Sequence, residues 1–279
     1  MTRIVLDLTK TIDQNASEYF EKAKKARKKM KGAQEALEKS RQKLKKARKK
    51  SMKAEAAAEQ ITFQKPKPEW YEKFRWFISS EGFLVIGGRD ATTNEMIIKK
   101  HTKSKDLVFH TDMSGSPFFV IQSDSLEGKS IGKPTIQQTA DATCTFSKAF
   151  KLGLARQDVF YVKPDQVTKE AKAGEYLQKG AFMIKGKTTY VDNRINCAVG
   201  ITEEGRIMAG PVEAVSKNCT SYVQIGQGDQ KTSRVAKLIQ KKIGGDLDDI
   251  IRAMPTGGCR IERSGSAKTL RPKKEKKSD

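Results

Sequence analysis

The sequence predicts an α+β protein: a mixed, largely antiparallel sheet with helices, preceded by a long basic coiled-coil helix. Three observations carry this expectation. Residues 15–60 keep a helical apolar spacing, residues 69–204 alternate short strand-like runs with turns, and Thr135–Gly153 supplies one substantial helix. No regular strand–helix alternation runs through the body, which argues against a parallel sheet.

Taken in order, residues 1–14 form a mixed lead, with Asp13 or Asn15 as the helix cap. Within the 15–60 arm, Tyr19, Ala23, Ala26, Met30, Ala33, Leu37, Ser40, Leu44, Ala47, Ser51, Ala54 and Ala58 are spaced four and three apart, a heptad seam. A helix of that length extends about 65–70 Å. Its seam is rich in small residues, so it holds only a closely approaching partner helix or stands alone. Gly32 weakens it by about 1 kcal/mol relative to alanine. Pro66 and Pro68 then end the arm.

The body, 61–204, opens with Trp76-Phe77-Ile78, a Ser79–Gly82 turn and the apolar run Phe83–Ile86, broken by Gly87-Gly88. Glu95–Lys100, Leu107–His110, Phe118–Ile121, Val159–Val162, Phe182–Ile184 and Asn196–Ile201 also read as strands. Residues 205–262 read as a small α/β extension. It holds a strand at Tyr222–Ile225, a basic amphipathic helix at Ser233–Ile243, a helix at Leu247–Met254 stopped by Pro255, and a closing strand after Gly257-Gly258. The tail, 263–279, reads as disordered.

Charge narrows the function. The 279 residues carry 55 Lys+Arg against 33 Asp+Glu, a formal charge of +22. Sixteen basic residues face three acidic ones between Glu21 and Lys53, and seven face two in the tail, so the body is close to balanced. Such one-signed extensions suit a polyanion, and the arm has no bulky apolar face for a membrane. Cys144, Cys197, Cys219 and Cys259 show no C-x-x-C spacing, which predicts free thiols and a cytoplasmic setting. His101 and His110 are too few for a histidine metal cluster, and no cofactor is expected. A group of His110 with Asp90, Asp106 and Asp112 is the one arrangement that suggests a metal-dependent RNA-processing enzyme. It lacks a tight acidic pair, so no enzyme is expected.

The strings KFRWFISSEGFLVIGGRDATTNE, DLVFHTDMSGSP and KPDQVTKEAKAGEYLQKGAFMIKGK resemble successive signatures of the NFACT-R RNA-binding domain of the NFACT family, the NEMF/RqcH-type ribosome quality-control factors. LDLTKTIDQNASEYFEKAKKARKK is similar to the family's entrance into a coiled coil. The segment around Val235–Ile261 is similar to an extension of archaeal members. The resemblance implies a factor that binds the large ribosomal subunit obstructed by peptidyl-tRNA, with ribosomal RNA and tRNA as partners. The family's NFACT-N domain is not matched in these residues. That leaves either half of a split protein, partnered through the arm by an NFACT-N-containing polypeptide, or a stand-alone module. A coiled-coil structural adaptor with incidental RNA contact is the reading from another class.

Candidate RNA-binding residues follow the breaks in these signatures. Arg89, Asp90 and Asn94 come after Gly87-Gly88, where an arginine can fork onto phosphate or simply close a turn with Asp90. Lys99 adds a cation nearby. His110, Asp112 and Ser116 end a strand beside Gly115, as an RNA-facing cluster or as satisfied structural residues. Lys169, Glu175, Tyr176, Lys185 and Lys187 interleave cations with an aromatic ring, which suits backbone neutralisation with base stacking or a solvated hairpin. Trp70, Trp76, Phe77 and Phe83 read as core.

Overall fold

A computed structural model describes residues 4–59, 66–170 and 177–266. The chain divides into two units, Met1–Thr62 and Phe63–Asp279.

The first unit is a short lead and helix α1 (Ile12–Glu59), 48 residues long. The helix starts before either expected cap: Thr11 Oγ1 accepts from the Gln14 amide at 3.3 Å. Asn15 sits inside the first turn and fastens the lead instead. Its Oδ1 accepts from the Asp7 N–H at 2.9 Å, and its Nδ2 donates to the Asp7 and Thr11 carbonyls. The Tyr19 hydroxyl donates to the Val5 carbonyl at 2.6 Å. These ties leave Val5, Leu8, Phe20, Met30 and Leu37 exposed within the unit.

The second unit holds both sheets. Strands β1 (Arg75–Ile78) and β2 (Leu84–Gly87) form the expected hairpin, with Gly82 at φ 99° in its turn. Next comes helix α2 (Ala91–Lys100), where a strand was expected over Glu95–Lys100. The reason is local: Asp90 accepts from the Thr93 amide at 2.8 Å while Thr93 Oγ1 accepts from the Asp90 amide, a capping box that nucleates the helix. Strands β3 (Leu107–Thr111) and β4 (Phe119–Ile121) follow.

The single helix expected over Thr135–Gly153 is two, α3 (Lys133–Thr145) and α4 (Lys148–Leu152). Ser147 breaks it by turning its Oγ to the Ala149 amide at 3.0 Å, starting a new helix. Strand β5 (Val159–Val162), the small pair β6 (Val167–Thr168) and β7 (Met183–Ile184), and strand β8 (Thr189–Val191) complete the first half. The six-stranded sheet runs β1-β2-β4-β3-β5-β8, antiparallel at every step.

The second sheet contains β9 (Cys197–Ile201), β10 (Ile207–Gly210), β11 (Ser221–Gln230) and β12 (Cys259–Ser266), ordered β10-β9-β11-β12. Helix α5 (Val212–Asn218) follows β10, while α6 (Thr232–Ile243) and α7 (Leu247–Ala253) lie between β11 and β12. The expected boundary at 204/205 falls in the turn of the β9–β10 hairpin, so β9 belongs to the same sheet as the extension. Strand β12 also carries residues 263–266, which the sequence reading assigned to a disordered tail; 267–279 lie outside the described residues.

The sheets share one core. Phe74, Phe77, Phe83, Phe109 and Phe119 are fully buried with Met208 and Ile225, each large side chain contributing about 2–3 kcal/mol from burial. Strand β1 packs on β10 where Gly210 faces Phe77; a Cβ there would meet the ring at 2.8 Å. The Ile78 amide donates to Met208 Sδ at 3.3 Å across this seam. Trp76, Phe77 and Phe83 are core as expected, whereas Trp70 is exposed and stacks on His101 at 4.7 Å.

Candidate nucleic-acid interface

The ends of β2 and β3 and the starts of α2 and α4 surround a cleft of about 610 Å³. Its apolar wall is an aromatic file. His110 stacks on Phe118 with centroids 4.1 Å apart, and Phe182 meets Phe118 edge-on at 5.5 Å. His110 Nε2 lies 3.1 Å from the Ser116 carbonyl, so the ring carries its proton there. Burial pushes the His110 pKa below the ordinary histidine value, against the opposing pull of the Ser116 and Thr111 backbone and of Asp112.

Glycines shape the rim. A Cβ on Gly88 would lie 1.8 Å from Asn94 Oδ1, and one on Gly115 3.2 Å from Lys148 Nζ. Asn94 is buried and clamps the facing loop: Oδ1 accepts from the Phe118 amide at 3.1 Å and Nδ2 donates to the Ser116 carbonyl at 3.4 Å.

Charge in the cleft is one-sided. Lys148, Lys151 and Lys179 are exposed on its rim, and among the described residues none has a carboxylate within ion-pair distance. Among the described residues Asp90 is the one carboxylate lining it, and that group is occupied capping α2. Arg75 lies deeper, half-buried, with its guanidinium 4.4 Å from the Phe146 ring centroid and Nη1 donating to the Met254 carbonyl at 3.1 Å. Burial, with the neighbouring Arg89 charge, lowers its pKa to about 10.

Five residues singled out in the sequence meet here: Arg89, Asp90, Asn94, His110 and Ser116. Most serve the fold at this site. Arg89 does not fork outward; it donates to the carbonyls of Phe74 (2.8 Å), Lys73 (3.1 Å) and Arg252. Ser116 is buried, and its Oγ accepts from Thr111 Oγ1 at 2.6 Å.

Lys169 stands beside the cleft, 5.1 Å from the Phe182 ring centroid and 3.5 Å from Glu95. Lys99 pairs with Glu95 at 2.6 Å, Asp112 accepts from the Tyr190 hydroxyl at 3.2 Å, and Lys185 pairs with Glu170 at 2.6 Å. These three, with Lys187, do not line the cleft. Glu175 and Tyr176 lie outside the described residues.

The cations that do face the cleft, Arg75, Lys148, Lys151 and Lys179, were missed. The spacing of Lys148 and Lys151 after a helix-capping Ser147 was the available signal. His110, Asp90, Asp106 and Asp112 do not converge. Asp106 is buried and accepts from the Ser123 amide at 2.8 Å, and among the described residues no group of three His, Cys, Asp or Glu is placed to hold a metal. No helix among them is long and apolar enough to cross a membrane.

Residues 73–186, which form most of this cleft, match the family described as the NFACT protein RNA binding domain. The chain is 40% identical over 200 residues to the archaeal Rqc2 homolog aRqcH of Methanocaldococcus jannaschii, covering 69% of this chain and 29% of that protein. It is 40% identical over 122 residues to the Drosophila melanogaster homolog of the ribosome quality control complex subunit NEMF, covering 44% of this chain and 12% of that one. Against human NEMF the identity is 38% over 125 residues, 45% of this chain and 11% of that protein. The chain therefore spans less than a third of the length of these curated relatives.

Proposed function

This chain belongs to the NFACT family through the RNA-binding domain at residues 73–186, and from that premise we propose that it is a non-catalytic RNA-binding factor of ribosome quality control. It engages the large ribosomal subunit in the cytoplasm when that subunit is obstructed by peptidyl-tRNA. The observation that carries this reading is the cleft, formed mostly by the matched segment, with three exposed lysines that make no ion pair within 4 Å among the described residues around an aromatic wall. That combination supplies backbone neutralisation and ring surfaces for unstacked bases. The lysine-rich arm adds sequence-independent attraction to ribosomal RNA.

The test is co-sedimentation with purified large ribosomal subunits over a salt series. Affinity falls steeply with salt in this reading. Binding that stays constant between low and high salt, or none at any ionic strength, sinks it.

A second reading has one specific observation in its favour. Apolar residues are exposed along the lead and α1, including Leu8, Phe20, Met30 and Leu37, which suits an adaptor that grips a protein partner. Ribonuclease treatment separates the two readings: an adaptor stays with its protein partner, whereas the ribosome factor is released.

A further inference from the structure

We infer that the cleft beside α4 takes single-stranded RNA, with one backbone phosphate seated between the Arg75 guanidinium and the Lys148 and Lys151 ammoniums. The inference rests on the RNA-binding reading above and names the form of RNA that this site admits.

Arg75 is the first ground. A guanidinium has five N–H donors, yet among the described residues the one hydrogen-bond acceptor it meets is the Met254 carbonyl. Among the described residues no carboxylate pairs with it, and its charged neighbour is another arginine, Arg89, whose own donors are spent on backbone carbonyls. A half-buried cation in that position is costly without an anion, and of the two hollows that Arg75 lines, the cleft of about 610 Å³ is the roomy one, the other holding about 40 Å³ beside Glu72 and Asp249. Arg89, Asn94, His110 and Ser116 are engaged by the fold there, so Arg75 joins the rim lysines as a cation with donors to spare.

Shape is the second ground. About 610 Å³ falls in the range of small-ligand pockets, room for a nucleotide but not for a double helix. Duplex RNA presents its phosphates on a wide, stiff surface, while a single strand can splay one nucleotide into a hollow and stack its base on a ring. The half-buried rings of Phe182 and His110, backed by the buried Phe118, offer such surfaces, and Gly115 leaves space beside the Lys148 ammonium. Lys151 also lines a second cleft of about 630 Å³ on the far side of α4, with Arg194, Gln227 and Arg260. Arg194, Gln227 and Arg260 are engaged there by Glu213, by the Ala149 and Leu154 carbonyls and by Glu262, so among the described residues the free cation that the two clefts share is Lys151.

The experiment measures fluorescence anisotropy of the full chain with a labelled, unstructured ten-nucleotide RNA and with a twelve-base-pair RNA duplex. The variants are the exposed pair Lys148→Ala/Lys151→Ala and, separately, Arg75→Gln, whose fold is checked by circular dichroism. The expected result is single-strand binding roughly tenfold or more tighter than duplex binding. The lysine pair should abolish that preference and reduce the slope of log K against log salt by about 1.4 for the single strand, two contacts at about 0.7 each. Equal or tighter duplex binding, or a lysine-pair variant with unchanged single-strand affinity, overturns the inference and leaves RNA binding by other surfaces standing. Retained binding to ribosomal subunits with no binding of free single strands also overturns it. Loss of every RNA and ribosome interaction in the unmodified chain overturns the functional reading together with it.

Discussion

The Gly180 amide donates to Glu95 Oε2 at 3.3 Å, and Gly180 itself lies so close to Ala91 that a Cβ would sit 2.5 Å from the Ala91 Cα. One wall of the cleft is thus fastened to α2 by a carboxylate and by the lack of a side chain. Glu95 also receives Lys99 at 2.6 Å and Lys169 at 3.5 Å.

The Glu95 carboxyl is held at about 2, chiefly by the Lys99 hydrogen bond, with the Gly180 amide and Lys169 adding to it. A folded value below the unfolded one gives a contribution that is complete above about pH 4.5 and fades as pH falls toward 2. Glu95→Gln should therefore melt earlier than the unmodified chain at pH 7, with the two melting curves converging in acid. Thermal unfolding from pH 7 to pH 2.5 reads this directly, and parallel curves at every pH would refute it.

Gly180→Ala should destabilise the second unit by about 1–3 kcal/mol, because φ is +80° and the added methyl meets backbone. The urea midpoint should drop, and hydrogen exchange should quicken first at 178–182.

Arg89→Lys should cost about 1–3 kcal/mol, since a point ammonium cannot serve the Phe74, Lys73 and Arg252 carbonyls together. Its urea midpoint should fall while the salt slope of RNA binding stays put. A slope reduced by a whole phosphate contact would instead show that Arg89 touches RNA.

His110 titrates below its ordinary value because it is buried, so the unfolded chain takes up the proton first. Stability should decline as pH drops below about 6.5 toward the folded value. His110→Gln keeps a donor for the Ser116 carbonyl and should flatten the dependence between pH 7 and pH 5. Denaturant titrations at each pH supply the measurement.

A fragment ending at residue 204 should not unfold cooperatively. It keeps β9 but removes β10 and β11, the two strands that flank it. A fragment spanning 63–266 should restore a single transition by calorimetry, since it retains every described strand of both sheets.

Local chemistry was legible in the sequence where neighbours decide it. The Trp76–Ile86 hairpin and the α6 and α7 helices follow from apolar runs, a turn glycine and a stopping proline close by in the chain. NEMIIKK fits strand or helix equally, and the Asp90–Thr93 box ahead of it decides the matter. Distant pairing was not legible: nothing within Asn196–Ile201 says that its strand neighbours are β10 and β11.

The site shows the same division. His110 and Ser116 stand out because they end a strand beside Gly115, and Asn94 because it follows Gly87-Gly88. Arg89 stands out in the sequence by following Gly87-Gly88, whereas nothing there marks Arg75, yet Arg89 is surrounded by carbonyls, among them that of distant Arg252. The spare donors of Arg75 become visible only once the neighbouring residues are in place.

Met208 and Gly210 cover a strand made some 130 residues earlier. During synthesis Phe77 therefore emerges long before its lid, and the hairpin that carries it must wait, greasy side uncovered, until β10 leaves the exit tunnel. Such delayed closure makes assembly slow relative to local helix formation. Until that closure the Phe77 side of the β1–β2 hairpin lacks the strand that covers it in the finished fold.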